Sequence, residues 1–381
     1  MILTEQQQKE CLTRGFSRRS LGKIAAMITA GASMPFYNEP ALAQLSKVDN
    51  VPPDAVMINS NENPLGPCEE ARNAVHAIVA QGGRYLFGET DKVAKIMAEQ
   101  EGLKNVTYIK IYPGSSAPLH QSVLAFTSPT KPLVMGDPGY EAGAAAAKFI
   151  GAPVVRVPLT ADHRHDVKAM LAKGGPNAGL FYICNPNNPT GTLTPKSEIE
   201  WLVEHKPKGS VVLIDEAYTH LSEAPFNADL VVKDKDVIVL RTFSKIYGMA
   251  GLRAGAALAR PDLLEKIDGF SHGMLPITGM VAASTSLQQK NLIPERRRII
   301  AGVREDTFNF LEKNKFRYVP SVSNCFMVDV KRPAMEVVLA MRKEKVYIGR
   351  VWPAWPTYAR VTVGTSEEMK KFDAAFLKVM A

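Results

Sequence analysis

The sequence predicts an α/β protein, with a large domain on a mostly parallel sheet covered by helices on both faces and a smaller α+β domain. Two patterns carry that expectation. From about Asn50, short β-rich apolar runs at 106–111, 133–135, 179–183, 211–214 and 237–240 alternate with helical patterns such as 142–150 and 196–205. Parallel neighbours need a crossover, and a helical crossover packs back onto the sheet, so this alternation makes a doubly wound sheet. Past about Arg296 the pattern changes to a long charged helix reaching Lys313, strands at 317–319 and 325–330, and a helix over 334–343. The change divides the chain into a large domain over 81–290 and a small one over 291–381, with residues 44–80 joining the small domain.

Composition excludes several classes of function. Apolar residues make up 46% of the 381 and charged residues 22%, the balance of a packed protein. No uncharged apolar stretch approaches the roughly 20 residues of a membrane span, so no membrane anchor is expected. The net charge of +8 comes from scattered lysines and arginines with no basic block and no interleaved aromatics. Nucleic-acid binding is therefore unsupported, and a surface that attracts anionic metabolites is the milder inference. Cys11, Cys68, Cys184 and Cys325 lie far apart, without Cys-x-x-Cys spacing or paired histidines. Neither a metal site nor a disulfide framework is expected.

Ligands of doubly wound sheets sit beyond the carboxyl ends of the strands, and polar residues are concentrated there. Asn188 lies in Asn185-Pro186-Asn187-Asn188-Pro189-Thr190-Gly191, after the run at 179–183. Asp215 and Tyr218 follow the run at 211–214, and Thr242, Ser244 and Lys245 follow 237–240, with Arg253 just beyond. Gly114-Ser115-Ser116 opens a helix after 106–111, which offers backbone N–H groups to an anion. Thr242 and Ser244 add hydroxyls, and Arg253 adds a fork suited to phosphate.

In this order the segments resemble the class I and II aminotransferases of fold type I, which use pyridoxal 5′-phosphate (PLP), and most of all their histidinol-phosphate branch. Asn61-Glu62-Asn63-Pro64-Leu65-Gly66-Pro67 and Arg360-Val361-Thr362-Val363-Gly364-Thr365 strengthen that likeness. The resemblance implies that Lys245 carries the cofactor as a Schiff base and moves the substrate's proton. A lysine in that role needs burial or cationic neighbours to become nucleophilic. Asp215 would pair with the pyridine nitrogen, and Asn188 and Tyr218 would donate to the ring's phenolate oxygen. Tyr140, in Pro138-Gly139-Tyr140-Glu141, matches the aromatic that stacks on the ring.

The same likeness assigns the substrate side. Arg360 would hold an α-carboxylate or equivalent anion, Asn63 would also bind substrate, and Arg350 matches the arginine that meets a distal phosphate. Trp352 and Trp355 follow at once and could instead line an apolar pocket or simply pack. Arg84-Tyr85 resembles the segment whose tyrosine reaches the cofactor phosphate of the other subunit, which implies a homodimer. The expected reaction passes an amino group between an amino acid or amino-phosphate and a 2-oxo acid. A decarboxylase, lyase or oxidase on the same fold would keep every cofactor residue and is the alternative, ahead of a binding protein without activity.

The first residues read as an address. Ser17-Arg18-Arg19-Ser20-Leu21-Gly22-Lys23, a short apolar run over 24–36, and Ala41-Leu42-Ala43 form a twin-arginine export signal over 1–43, with cleavage expected after Ala43. That pathway carries folded cargo, which suits a protein that loads its cofactor first. The expected location is the periplasm or beyond, or the cytoplasm if the signal is not used.

Overall fold

The computed structural model describes residues 3–30, 51–270 and 274–381. Its strands are β1 (Val56–Ile58), β2 (Ile109–Tyr112), β3 (Leu133–Asp137), β4 (Val154–Pro158), β5 (Leu180–Cys184), β6 (Val211–Asp215) and β7 (Val237–Thr242), then β8 (Gly255–Ala259), β9 (Arg317–Val319), β10 (Cys325–Asp329), β11 (Val346–Ile348), β12 (Val351–Trp352) and β13 (Trp355–Thr362). The main sheet runs β2-β8-β7-β6-β5-β3-β4, parallel except for β8, which is antiparallel to both neighbours. Because β2 and β7 both oppose β8, they point the same way. The carboxyl ends of β2, β5, β6 and β7 therefore share one edge, together with the start of β8.

Every residue of β5, β6, β7 and β8 is buried. That explains why these strands read as continuous apolar runs rather than alternating ones. A second sheet, β12-β13-β10-β9, is antiparallel, and β1 pairs in parallel with β11. The segment near Asn59 is thereby drawn beside the C-terminal strands.

Two elements differ from their expected bounds. Residues 106–108 form a 3₁₀ turn ahead of β2, because the Asn105 side chain accepts from the Thr107 amide at 2.8 Å and closes the turn. The long charged helix begins at Leu292 instead of near Arg296. Pro294 falls in its first turn, where the missing N–H has no intrahelical partner to lose.

The helices Glu5–Thr13 and Arg18–Ala30 lie against the large domain. Leu3, Cys11, Phe16, Ile24, Met27 and Ile28 are buried, while Arg18 and Arg19 are exposed. Arg14 Nη2 donates to the carbonyls of Leu124 and Thr127 at 2.6 and 2.7 Å. The expected cleavage position after Ala43 lies outside the described residues. Among the described residues no helix is long and apolar enough to cross a membrane.

Candidate active site

A cavity opens on the shared edge of the main sheet, and every expected cofactor residue except Tyr85 lines it. At one end stands an anion cradle. Ser115 and Ser116 open the helix Ser116–Phe126, whose first amides have no intrahelical acceptor. Thr242 Oγ1 donates to Ser244 Oγ at 3.0 Å, and Arg253 Nη1 lies 3.4 Å from Ser244 Oγ. Arg253 is tethered by the carbonyls of Ala250 and Pro113 at 2.8 and 3.1 Å. Gly114 permits this closeness: its φ is +91°, and a Cβ there would meet Arg253 Nη2 at 2.3 Å.

At the other end Asp215 terminates β6, only 3% exposed. Its Oδ2 accepts from Tyr182 Oη at 2.9 Å and its Oδ1 from the Ala217 amide at 3.1 Å. Burial and the Asp215 charge push the Tyr182 hydroxyl well above its ordinary range, so it stays a donor. The neighbouring Glu216 pairs with the buried Arg241 of β7, which also forks onto Glu101 with both contacts at 2.8 Å. This network anchors the backbone that presents Asp215. A charge at that place suits a ring nitrogen that must hold its proton.

Lys245 is 3% exposed, and its Nζ stands 5.5 Å from the centre of the Tyr218 ring. Asn63 donates to the carbonyls of Lys245 and Ile246 at 3.0 and 3.1 Å, and Arg296 donates to Ile246 at 3.0 Å. Asn63 therefore holds the loop that carries the lysine. The Tyr218 hydroxyl accepts from Asn61 at 3.0 Å and from Asn188 at 3.3 Å. With both lone pairs engaged, it serves as a donor.

The residues expected on the substrate side come from distant strands. Arg360 of β13 donates from Nη1 to Asn188 Oδ1 at 2.9 Å and from Nη2 to the Asn59 carbonyl at 2.7 Å. Burial, and then the neighbouring Arg350 cation, push its pKa down. Trp352 is fully buried and its indole N–H donates to the Gly139 carbonyl at 3.0 Å. The guanidinium carbons of Arg350 and Arg360 stand 5.0 and 5.5 Å from its ring, within cation–π range. Trp352 is thus a support for both arginines. Trp355 packs on His163 and Tyr358, each at 5.0 Å between ring centres.

Tyr140 is buried in the cavity wall. Tyr85 is not in it: at 70% exposure it lines a separate surface hollow with Phe87 and Met274. Sequence reasoning missed Cys184 and Ala217 of the cavity lining, and also Tyr182, Asn59, Asn61 and Glu141. Asn61 and Glu141 had a local signal, in the Asn61-Glu62-Asn63 and Pro138-Gly139-Tyr140-Glu141 runs already singled out. Burial raises the Cys184 thiol well above its usual pKa, which keeps it unreactive.

Residues 53–376 match the family model for aminotransferase class I and II. The chain belongs to the class I and II aminotransferases. It is 33% identical over 325 residues to a histidinol-phosphate aminotransferase of Symbiobacterium thermophilum, covering 84% of this chain and 89% of that protein. It is 30% identical over 334 residues to the histidinol-phosphate aminotransferase of Bacillus subtilis strain 168, covering 85% and 91%. Among solved structures, the histidinol-phosphate aminotransferase of Sinorhizobium meliloti in complex with PLP superposes with a TM-score of 0.77 at 25% identity, covering 90% of this chain and 94% of that one.

This aminotransferase accordingly uses PLP, and its residues fit that cofactor on their own geometry. Gly114 lets the Arg253 guanidinium close on the cradle where a Cβ would collide with it, the donors there are of phosphate-binding type, and a buried carboxylate and a buried lysine line the same cavity.

Proposed function

We propose that this aminotransferase takes its amino group from an amine bearing an anion next to the reacting carbon, and that Arg360 seats that anion. The observation that carries the reading is the hydrogen-bonded path from Arg360 through Asn188 to Tyr218 at the cavity wall. Such a path fixes the distance between the anion site and the reacting centre. Each η nitrogen of Arg360 uses one N–H within the protein, which leaves a second on each for a bidentate pair. The bound PLP supplies an electron sink for the carbanion left at Cα. Lys245 Nζ removes the Cα proton and returns it, as general base and then general acid. Asp215 keeps the ring nitrogen protonated, and Asn188 and Tyr218 donate to the phenolate oxygen. Tyr140, buried in the cavity wall, would shield the cofactor from water.

The test is to mix the purified protein with single amino acids, and with histidinol phosphate as named for the relatives, then follow the 2-oxo product and the cofactor's conversion to its amine. Carbon dioxide released without a 2-oxo acid would refute the reading.

The reading extends to assembly and location. Tyr85, with Phe87 and Met274 exposed beside it, supplies an apolar surface through which a second copy would bring its own Tyr85 to the phosphate cradle. Tyr85→Ala is expected to weaken PLP retention about tenfold, the effect of losing a roughly 1.4 kcal/mol contact, in a protein that sediments as a dimer. Unchanged retention, or a wild-type monomer with full activity, would remove the shared site. Export through the twin-arginine pathway rests on residues 17–23 and on the exposure of Arg18 and Arg19. A double Arg18→Lys, Arg19→Lys variant is expected to stay in the cytoplasm while the wild type reaches the periplasm with its N-terminus at Gln44. Wild-type chains found only in the cytoplasm with residues 3–30 intact would mean that the docked helices are a permanent part of the fold.

A further inference from the structure

The two arginines of the substrate side do not carry equal charge to a ligand. Arg350 Nη1 lies 3.3 Å from Glu141 Oε2, an ion pair whose geometry falls short of a hydrogen bond. The Arg350 side chain is 6% exposed and that of Glu141 22%. Glu141 directly follows the cavity residue Tyr140 and stands at the N-cap of the helix Ala142–Ile150, which places its side chain next to the cavity wall. Arg350 and Arg360 flank the same Trp352 indole, and each is close enough for its charge to act on the other. Around the Trp352 indole, two guanidiniums and one carboxylate leave a single net positive charge.

We infer that Glu141 is a specificity-determining residue that neutralises Arg350, so that the site accepts the single charge of a 2-amino acid's carboxylate and disfavours a phosphomonoester. This inference rests on the reading of Arg360 as the anion seat. A phosphomonoester carries close to two negative charges at neutral pH. It would have to enter beside the Glu141 carboxylate, in a buried site where like charges repel strongly. A carboxylate of one charge is matched by Arg360 without breaking the Glu141–Arg350 pair. The substrate class that follows is an amino acid with an uncharged side chain.

Glu141→Gln keeps the side chain's size and removes its charge; Glu141→Asp keeps the charge. With the holoenzyme, kcat/KM is measured for leucine, phenylalanine and histidinol phosphate. The wild type is expected to favour the amino acids. Glu141→Gln should raise the ratio of histidinol phosphate to amino acid at least tenfold and bind inorganic phosphate at least tenfold more tightly, while Glu141→Asp should stay near the wild-type ratio. A wild type that prefers histidinol phosphate, or a ratio and a phosphate affinity that do not move in Glu141→Gln, overturns the inference. Inorganic phosphate binding, followed through the cofactor's absorbance, needs no turnover. If no amine is converted, the proposed function fails, yet the phosphate affinities of wild type and variants still decide the part played by Glu141. If Glu141→Gln does not fold, the wild type's own preference between the two substrate types decides it.

Discussion

Lys245→Ala is expected to lower kcat by roughly 10⁴-fold, the upper end of what a positioned acid–base group contributes. The side chain is buried, its backbone carbonyl is held by Asn63, and no second lysine lines the cavity among the described residues. Lys245→Arg separates charge from chemistry, since a guanidinium keeps the positive charge but does not deprotonate; it should lose as much as alanine does. Single-turnover absorbance, with kcat from 2-oxo acid formation, measures the loss. Borohydride reduction of the wild type followed by peptide mapping should label Lys245, and a label on another residue would overturn the assignment.

Asp215→Asn is expected to lower kcat about 10²–10³-fold, comparable to deleting one preorganised electrostatic contact, while PLP remains bound through the cradle at the opposite end. The substitution preserves shape and leaves an oxygen for Tyr182, whose hydroxyl now donates to Oδ2 at 2.9 Å. It removes the negative charge proposed to hold the proton on the ring nitrogen. The measurement is kcat in the variant beside its PLP dissociation constant. A variant that loses PLP but keeps kcat once saturated would show that Asp215 serves binding alone.

Both predictions concern residues that were legible in the sequence, and the reason is geometric. Asp215 and Lys245 stand immediately after buried apolar strands, and the end of such a strand in a parallel sheet is the place where ligands bind. Short range suffices for that inference: strand, then polar residue, then position. The same logic reached Asn188, Thr242, Ser244 and the helix start at Ser115 and Ser116, and these residues do line one cavity. Tyr85 could be named only from a likeness, because its place in the chain says nothing about a surface 70% exposed in the single subunit.

Other residues were hidden because their meaning is a pairing across long stretches of chain. Tyr182 reads as one more aromatic in a fully buried strand until β5 and β6 are set side by side and its hydroxyl meets Asp215. Asn59 and Asn61 gain their roles when β1 pairs with β11 and draws the preceding segment beside Arg360 and Tyr218. Trp352 could have been a pocket wall; its indole is instead wedged under two guanidiniums. By itself, then, the sequence determined the fold class and the placing of Lys245 just past a strand end, since both follow from local periodicity, while the cofactor and the lysine's role came from the likeness to known aminotransferases. The charge offered to the substrate was decided only by the tertiary structure. It depends on whether Glu141 stands within reach of Arg350, a proximity between residues on separate elements that no local pattern encodes.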